Sequence, residues 1–236
     1  MNYTIALLLI GLAILIHELG HFIAARRANI PIRIFSVGFG PRILGFTRGG
    51  TEYRLSLIPL GGYVLPDIED EGDFFRISVR SRIIMALGGP LANIALGVVC
   101  IAWINAAVNG FSLAGVFVKP FSQAVFLLYQ MVAAIPLLFS QPDQLSGVVG
   151  IVAQGGQFIG ASLLRGLQFM ALISLNLAII NMLPIPAMDG GKILLYLMEK
   201  IHPALLRLHL PLSVAGWLFV LGLMVYVTAA DISRVL

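Results

Sequence analysis

The chain has 236 residues, of which 59% are hydrophobic and 11% charged, with a mean hydropathy of +0.97. Such a composition excludes an ordinary soluble domain and identifies an integral membrane protein. The formal charge of +4 needs no nucleic acid to explain it, because nine of the fifteen Lys and Arg residues lie between Arg26 and Arg82, in a loop short enough for the positive-inside rule to make it cytoplasmic.

The first predicted helix covers 3–25. A hydrocarbon core of ~30 Å takes about 20 apolar helical residues to cross, and this window contains one acid, Glu18. No basic residue precedes it, so it reads as a retained helix rather than a secretory signal. Inside it stands "HELGH", 17–21. Residues four apart share a helix face, so His17 and His21 can offer two imidazole nitrogens to one metal, and Glu18 stands beside them as a general base for water. Three ionisable residues in five positions of a membrane helix are costly and need a shared reason.

The loop 26–82 is predicted to be β-rich. In "TEYRLSLIPLGGYV", 51–64, Tyr53, Leu55 and Leu57 alternate with Glu52, Arg54 and Ser56, the period of a half-buried strand. "RIFSVGFGP", 33–41, is expected to pair with it in a small sheet at the membrane surface. "DIEDEGD", 67–73, spaces Asp67, Glu69 and Glu71 like the start of a calcium loop, but its twelfth position is Ser78, and a solvated acidic loop is the better reading.

A second helix is expected over 83–109, with Pro90 of "GGPLAN" as a first-turn proline and Asn93 as a packing or capping residue. The link 110–120 is too short for a folded domain. The apolar region 121–160 that follows is re-entrant, interfacial or spanning. Lys192, Lys200 and Arg207 put the end of the next helix, 163–186, on the side of Arg26 and Arg27, which favours the first two choices. That helix carries Asn176 and Asn181 and is broken by "PIPAMDGG", 184–191. A last helix covers 210–230, and His202 and His209 before it read as interfacial. The lone Cys100 excludes a disulfide framework.

Catalytic zinc usually has three protein ligands and an open position. Apart from acids in loops and the tail, Asp189 is the only other one at the edge of an apolar window. Pro184 and Pro186 before it and Gly190-Gly191 after it break the helix, which is tolerated at membrane depth where backbone lines a cavity. Asp189 is therefore the candidate third ligand.

"HELGH", "GGPLAN" and "NLAIINMLPIPAMDGG" resemble the three signatures of the site-2 protease family of intramembrane zinc metalloproteases. "FSVGFGP", "GTEYRLSLIPLGGYV" and "DISRVL" look most like its bacterial regulator-of-sigma-E protease branch. The resemblance covers about 5–65, 76–100 and 145–236. It implies an all-α polytopic membrane protein with about four core transmembrane helices and a small cytoplasmic-side sheet or hairpin, forming a single membrane-embedded domain. It implies one catalytic Zn2+ on His17, His21 and Asp189, with Glu18 as the base. Asn176 and Asn181 would hold the substrate chain, and the strand 51–58, with Glu52, Tyr53, Arg54, Leu55, Ser56 and Leu57, would be an edge on which it extends.

The expected activity is hydrolysis of peptide bonds in or near the transmembrane helices of other membrane proteins, such as anti-sigma factors or signal-peptide remnants. The expected place is a bacterial inner membrane, with the active site toward the cytoplasm. The branch normally carries one or two PDZ domains between its second and third core helices, and this chain has only the 110–120 link and the 121–139 segment there. Two other functions stay open: a metal-binding membrane transporter, which needs the histidines but not Glu18, and an inactive relative.

Overall fold

In the computed structural model the described residues are 2–68, 71–140, 146–202, 205 and 208–235. In chain order the elements are α1 (Asn2–Arg27), β1 (Ile32–Arg48), β2 (Thr51–Pro66), α2 (Glu71–Arg76), α3 (Val79–Asn109), a π-helical turn (Ala114–Val118), α4 (Lys119–Ser140), α5 (Val148–Ile159), α6 (Leu163–Asn181), α7 (Asp189–Ile201) and α8 (His209–Val235). Five helical stretches among the described residues are long and apolar enough to cross a membrane: Asn2–Arg27, Val79–Asn109, Ala114–Leu137, Leu163–Asn181 and His209–Asp231. The architecture is that of a polytopic α-helical membrane protein with one small sheet.

The bundle core lies where α1, α3, α4 and α6 meet, around Ala13, Cys100, Ile101, Ala124, Met170, Ala171 and Leu175. α1 and α3 pack backbone to backbone. A Cβ on Gly20 would collide with the Gly88 carbonyl, and one on Gly88 with the Gly20 carbonyl. Small residues allow this approach, which dispersion and packing reward in lipid where no hydrophobic force acts between helices. α1 ends where Asn29 takes a left-handed φ of 56°, a conformation asparagine tolerates at a helix C-terminus.

α5 is 12 residues long, ~18 Å at 1.5 Å per residue, and does not reach across a bilayer. Gly156 packs on Tyr3 and Gly155 on Ala6. Gly150 N donates to Asp231 Oδ2 at 2.8 Å. The first half of α5 therefore lies near the end of α8 and its second half near the start of α1.

β1 and β2 pair as one antiparallel sheet, but each strand bends, so the register repeats. Phe35 faces both Val64 and Tyr53, and Ser36 faces both Tyr63 and Arg54. The extended segments lie side by side in the order 42–48, 51–58, 32–39, 61–66. Between 32–39 and 51–58 the partner numbers rise together, from Ile34 with Glu52 to Val37 with Leu55. Glycines turn the chain between segments: Gly38, Gly40, Gly49, Gly50 and Gly61 all have positive φ.

Several sequence expectations are corrected. α3 starts at Val79, capped by Ser78, so Pro90 lies deep inside the helix rather than in its first turn. The charges of Arg80 and Arg82 read as loop, yet Arg82 is buried and paired with Glu199. The segment 51–58 is not an edge, because it is paired on both sides. Its alternation is also inverted: Ser56 is buried, while Leu55 and Leu57 are exposed. Ser56 turns inward to Ser36, their hydroxyl oxygens 3.0 Å apart and buried, and the alternation follows from that pairing. α6 ends at Asn181, not near 186, and α2 and α7 are additional helices. His209 is buried rather than interfacial. Of the acidic run 67–73, residues 69 and 70 lie outside the described residues.

Candidate metal centre

α1 brings His17 and His21 to one face, one turn apart, and both are buried. α7 brings Asp189 to them as its first residue. The turn from α6 into α7 is tight: Met188 N donates to the Ile185 carbonyl at 2.7 Å, and a Cβ on Gly190 or Gly191 would overlap the carbonyls of Met182 or Ile185. Across it, α8 presses Gly216 on Ala187, where a Cβ would sit 2.7 Å from the Ala187 nitrogen. The Pro and Gly residues of "PIPAMDGG" thus make a compact reversal that delivers one carboxylate.

His17 Nε2 and His21 Nε2 are 3.1 Å apart, and they lie 3.2 and 3.1 Å from Asp189 Oδ2. Three atoms bonded to one tetrahedral zinc at ~2.0–2.1 Å would stand ~3.3 Å from one another. The observed triangle has the size of one face of such a tetrahedron. Two further observations support a metal rather than a hydrogen-bonded cluster. Asp189 Oδ2 is buried and makes no well-oriented hydrogen bond. Gly89 of α3 faces the triangle, and a Cβ there would lie 2.5 Å from His21 Nε2 and 2.7 Å from His17 Nε2. The residues fit a zinc ion, and among the described residues they are the one His/Cys/Asp/Glu group with this convergence.

The surroundings hold the ligands in place. Lys192 Nζ lies 3.2 Å from Asp189 Oδ1, so the carboxylate's second oxygen is engaged away from the histidines. His21 Nδ1 lies 2.8 Å from the Met85 carbonyl and 3.3 Å from Gly89 N, the two ends of one α3 hydrogen bond. The imidazole thus enters the backbone ladder one residue before Pro90, where the helix already lacks an N–H. Asn93 Nδ2 lies 3.2 Å from His17 Nδ1. Glu18, half-buried, is near enough to His17, His21, Asp189 and Lys192 to interact with their charges.

The remaining predicted residues are placed differently. Asn181 Nδ2 donates to the Leu177 carbonyl of its own helix at 2.9 Å, and Asn176 is exposed on α6. Glu52 pairs with Arg42 and Arg54, and the Arg54 hydrogen bond holds its carboxyl below the ordinary range. Tyr53 packs among Phe22, Phe35 and Phe46. Gly62 of the sheet comes close to the site: a Cβ there would lie 3.1 Å from Glu18 Cγ. Sequence reading passed over Gly62, Gly89 and Lys192. The spacing of Lys192, three residues after Asp189 on a helix, was the one local signal for any of them.

Over residues 5–226 the chain matches the sequence profile of peptidase family M50. A candidate zinc metalloprotease of Clostridium acetobutylicum is 26% identical, over 85% of this chain and 87% of its own. One of Campylobacter jejuni is 26% identical, over 100% of this chain and 94% of its own. One of Treponema pallidum is 36% identical over a shorter region, 43% of this chain and 26% of its own. For the Clostridium relative, 85% of 236 residues is about 200, so of 296 aligned positions about 95 hold residues with no counterpart here.

Proposed function

Since the chain belongs to peptidase family M50, the site-2 protease family, we propose that it is a zinc endopeptidase that cuts other membrane proteins in or near a transmembrane helix. The observation that carries this reading is the convergence of His17, His21 and Asp189 on one point, with Glu18 alongside, inside a bundle of membrane helices.

Zinc on these three ligands would polarise the scissile carbonyl and make a water a good nucleophile near neutral pH. Glu18 accepts a proton from the attacking water and returns it to the leaving amide nitrogen. Lys192 keeps Asp189 turned by holding its second oxygen. Gly89 leaves the metal face open.

A substrate helix satisfies all its own backbone hydrogen bonds, so several residues must unwind before a carbonyl is open to attack. Each freed polar group costs several kcal/mol in an apolar medium. Pairing with a free strand edge restores those bonds, as in strand addition. The segment 61–66 is unpaired on its outer side among the described residues and passes Glu18 at Gly62. It takes the role expected of Glu52 through Leu57. Asn176 and Asn181, on α6 before the α7 turn, are assigned polar contacts to the unwound chain on the strength of the family resemblance, and for Asn181 this requires releasing the Leu177 carbonyl. The basic residues around α1's end and β1–α3 support a site facing the cytoplasm, and relatives from bacteria suit an inner membrane.

The test is Glu18→Gln against a co-expressed single-span reporter. Cleavage should fall at least about a hundredfold, the lower end for loss of a general base, while purified protein keeps one zinc. Cleavage equal to wild type would end this reading. Uptake of metal by cells that survives the substitution would favour a transporter.

A further inference from the structure

Ligation through Nε2 leaves a histidine's proton on Nδ1, and a buried Nδ1–H needs an acceptor. His21 has one in the Met85 carbonyl. His17 has the Asn93 amide at 3.2 Å. Asn93 is fully buried, and its Oδ1 has no partner. An amide nitrogen facing a protonated Nδ1 would set two donors against each other, while the amide oxygen stayed buried and unpaired. Turning the amide over about its last side-chain bond ends the clash of donors and gives the oxygen a partner, moving the nitrogen to where the oxygen stood, since the two are nearly the same size.

We propose that Asn93 is a positioning residue for the metal: its side-chain oxygen accepts the Nδ1 proton of His17 and fixes the tautomer that presents Nε2. The proposal rests on the zinc site described above. Its geometric support is a stripe on α3. Met85, Gly89 and Asn93 are four residues apart, one turn each, and face His21, the ligand triangle and His17 in that order. Ser174 of α6 braces the far end, its Oγ donating to the Asn93 carbonyl at 2.9 Å. The same helix face therefore supplies an acceptor for each histidine and an empty place for the ion.

This differs from a packing role in its consequences. If Asn93 only filled space, leucine would serve as well and a buried aspartate would be harmful. If it is an acceptor, the order is reversed.

The experiment compares wild type, Asn93→Leu and Asn93→Asp in detergent, titrating zinc against a chelator of known affinity and recording the visible spectrum of the cobalt-substituted proteins. Asn93→Leu should weaken zinc about 10- to 100-fold, the usual effect of losing such a partner. Asn93→Asp should match or exceed wild type, with an unchanged tetrahedral cobalt spectrum. If the leucine variant does not fold, the aspartate variant decides alone, since weaker zinc binding there overturns the proposal. Equal affinity in all three proteins also overturns it, and leaves the zinc site standing. The zinc site itself fails, and the proposal with it, if His17→Ala binds zinc as tightly as wild type.

Discussion

Gly89 shows how little freedom one position has. Any side chain there would occupy the space between His17 Nε2 and His21 Nε2. Gly89→Ala should therefore fold, because alanine favours the helix by roughly 1 kcal/mol over glycine, yet lose its zinc and its activity together. Metal analysis alongside thermal unfolding checks this, and an alanine protein with full zinc would refute it. Gly20 and Gly88 are bare for a different reason, the contact between two backbones, so replacing them should disturb the helix pair before it disturbs the metal. The ligands were legible in the sequence because His17 and His21 are local, i to i+4, and Asp189 is marked by flanking Pro and Gly. What surrounds them was not. Whether Asn93 or Gly89 of "GGPLAN" faces a histidine depends on how α1 and α3 are rotated against each other, which no local pattern encodes.

Among the elements, the sheet departs most from its sequence pattern. Alternation found the strand 51–58 but could not say which strand lies outermost, since that follows from the chain inserting 51–58 between 32–39 and 42–48. Among the described residues 42–48 and 61–66 each pair on one side, and the second passes Glu18 at Gly62. Gly62→Ala would bring a Cβ to 2.6 Å from the Ser36 carbonyl and 3.1 Å from Glu18 Cγ. It should lower reporter cleavage at least about tenfold, an outcome expected when backbone shifts move catalytic geometry by an ångström. Ile43→Thr and Phe46→Thr on the opposite edge should leave cleavage within about twofold, because they touch neither the base nor the metal ligands. A larger loss from the second pair than from Gly62→Ala would assign substrate pairing to the wrong edge. α7 escaped notice because prolines end one helix and glycines begin the next within eight residues. α3 was shortened because two arginines looked like loop.

At the scale of the whole molecule, Arg82 ties the start of α3 to the far end of α7. Its guanidinium is buried and bonds both carboxylate oxygens of Glu199, at 2.8 and 2.6 Å. Phe74, Phe75 and Tyr196 wall it in, with the guanidinium carbon 5.6, 5.2 and 4.7 Å from their ring centres. Burial pushes the Tyr196 phenol up to about 12, so it meets Arg82 as a neutral ring. The cluster anchors the far end of α7, whose first residue is Asp189. Arg82→Met should cost about 3 kcal/mol, the lower end for a broken buried pair, by leaving the Glu199 carboxylate only the more distant His209 Nε2 at 3.8 Å, and Arg82→Met with Glu199→Leu should recover most of it. Unfolding in mixed micelles measures both, and a single variant as stable as wild type would contradict the assignment.

The stripe on α3 carries a further consequence, for the history of the chain. A helix turns about 100° per residue, so one residue gained or lost between Met85 and Asn93 would swing everything beyond it off the histidines. That stretch is closed to changes of length, whatever substitutions it accepts. The roughly hundred additional residues of the relatives must have entered or left elsewhere, and an aligned set of them should run through 85–93 without a gap.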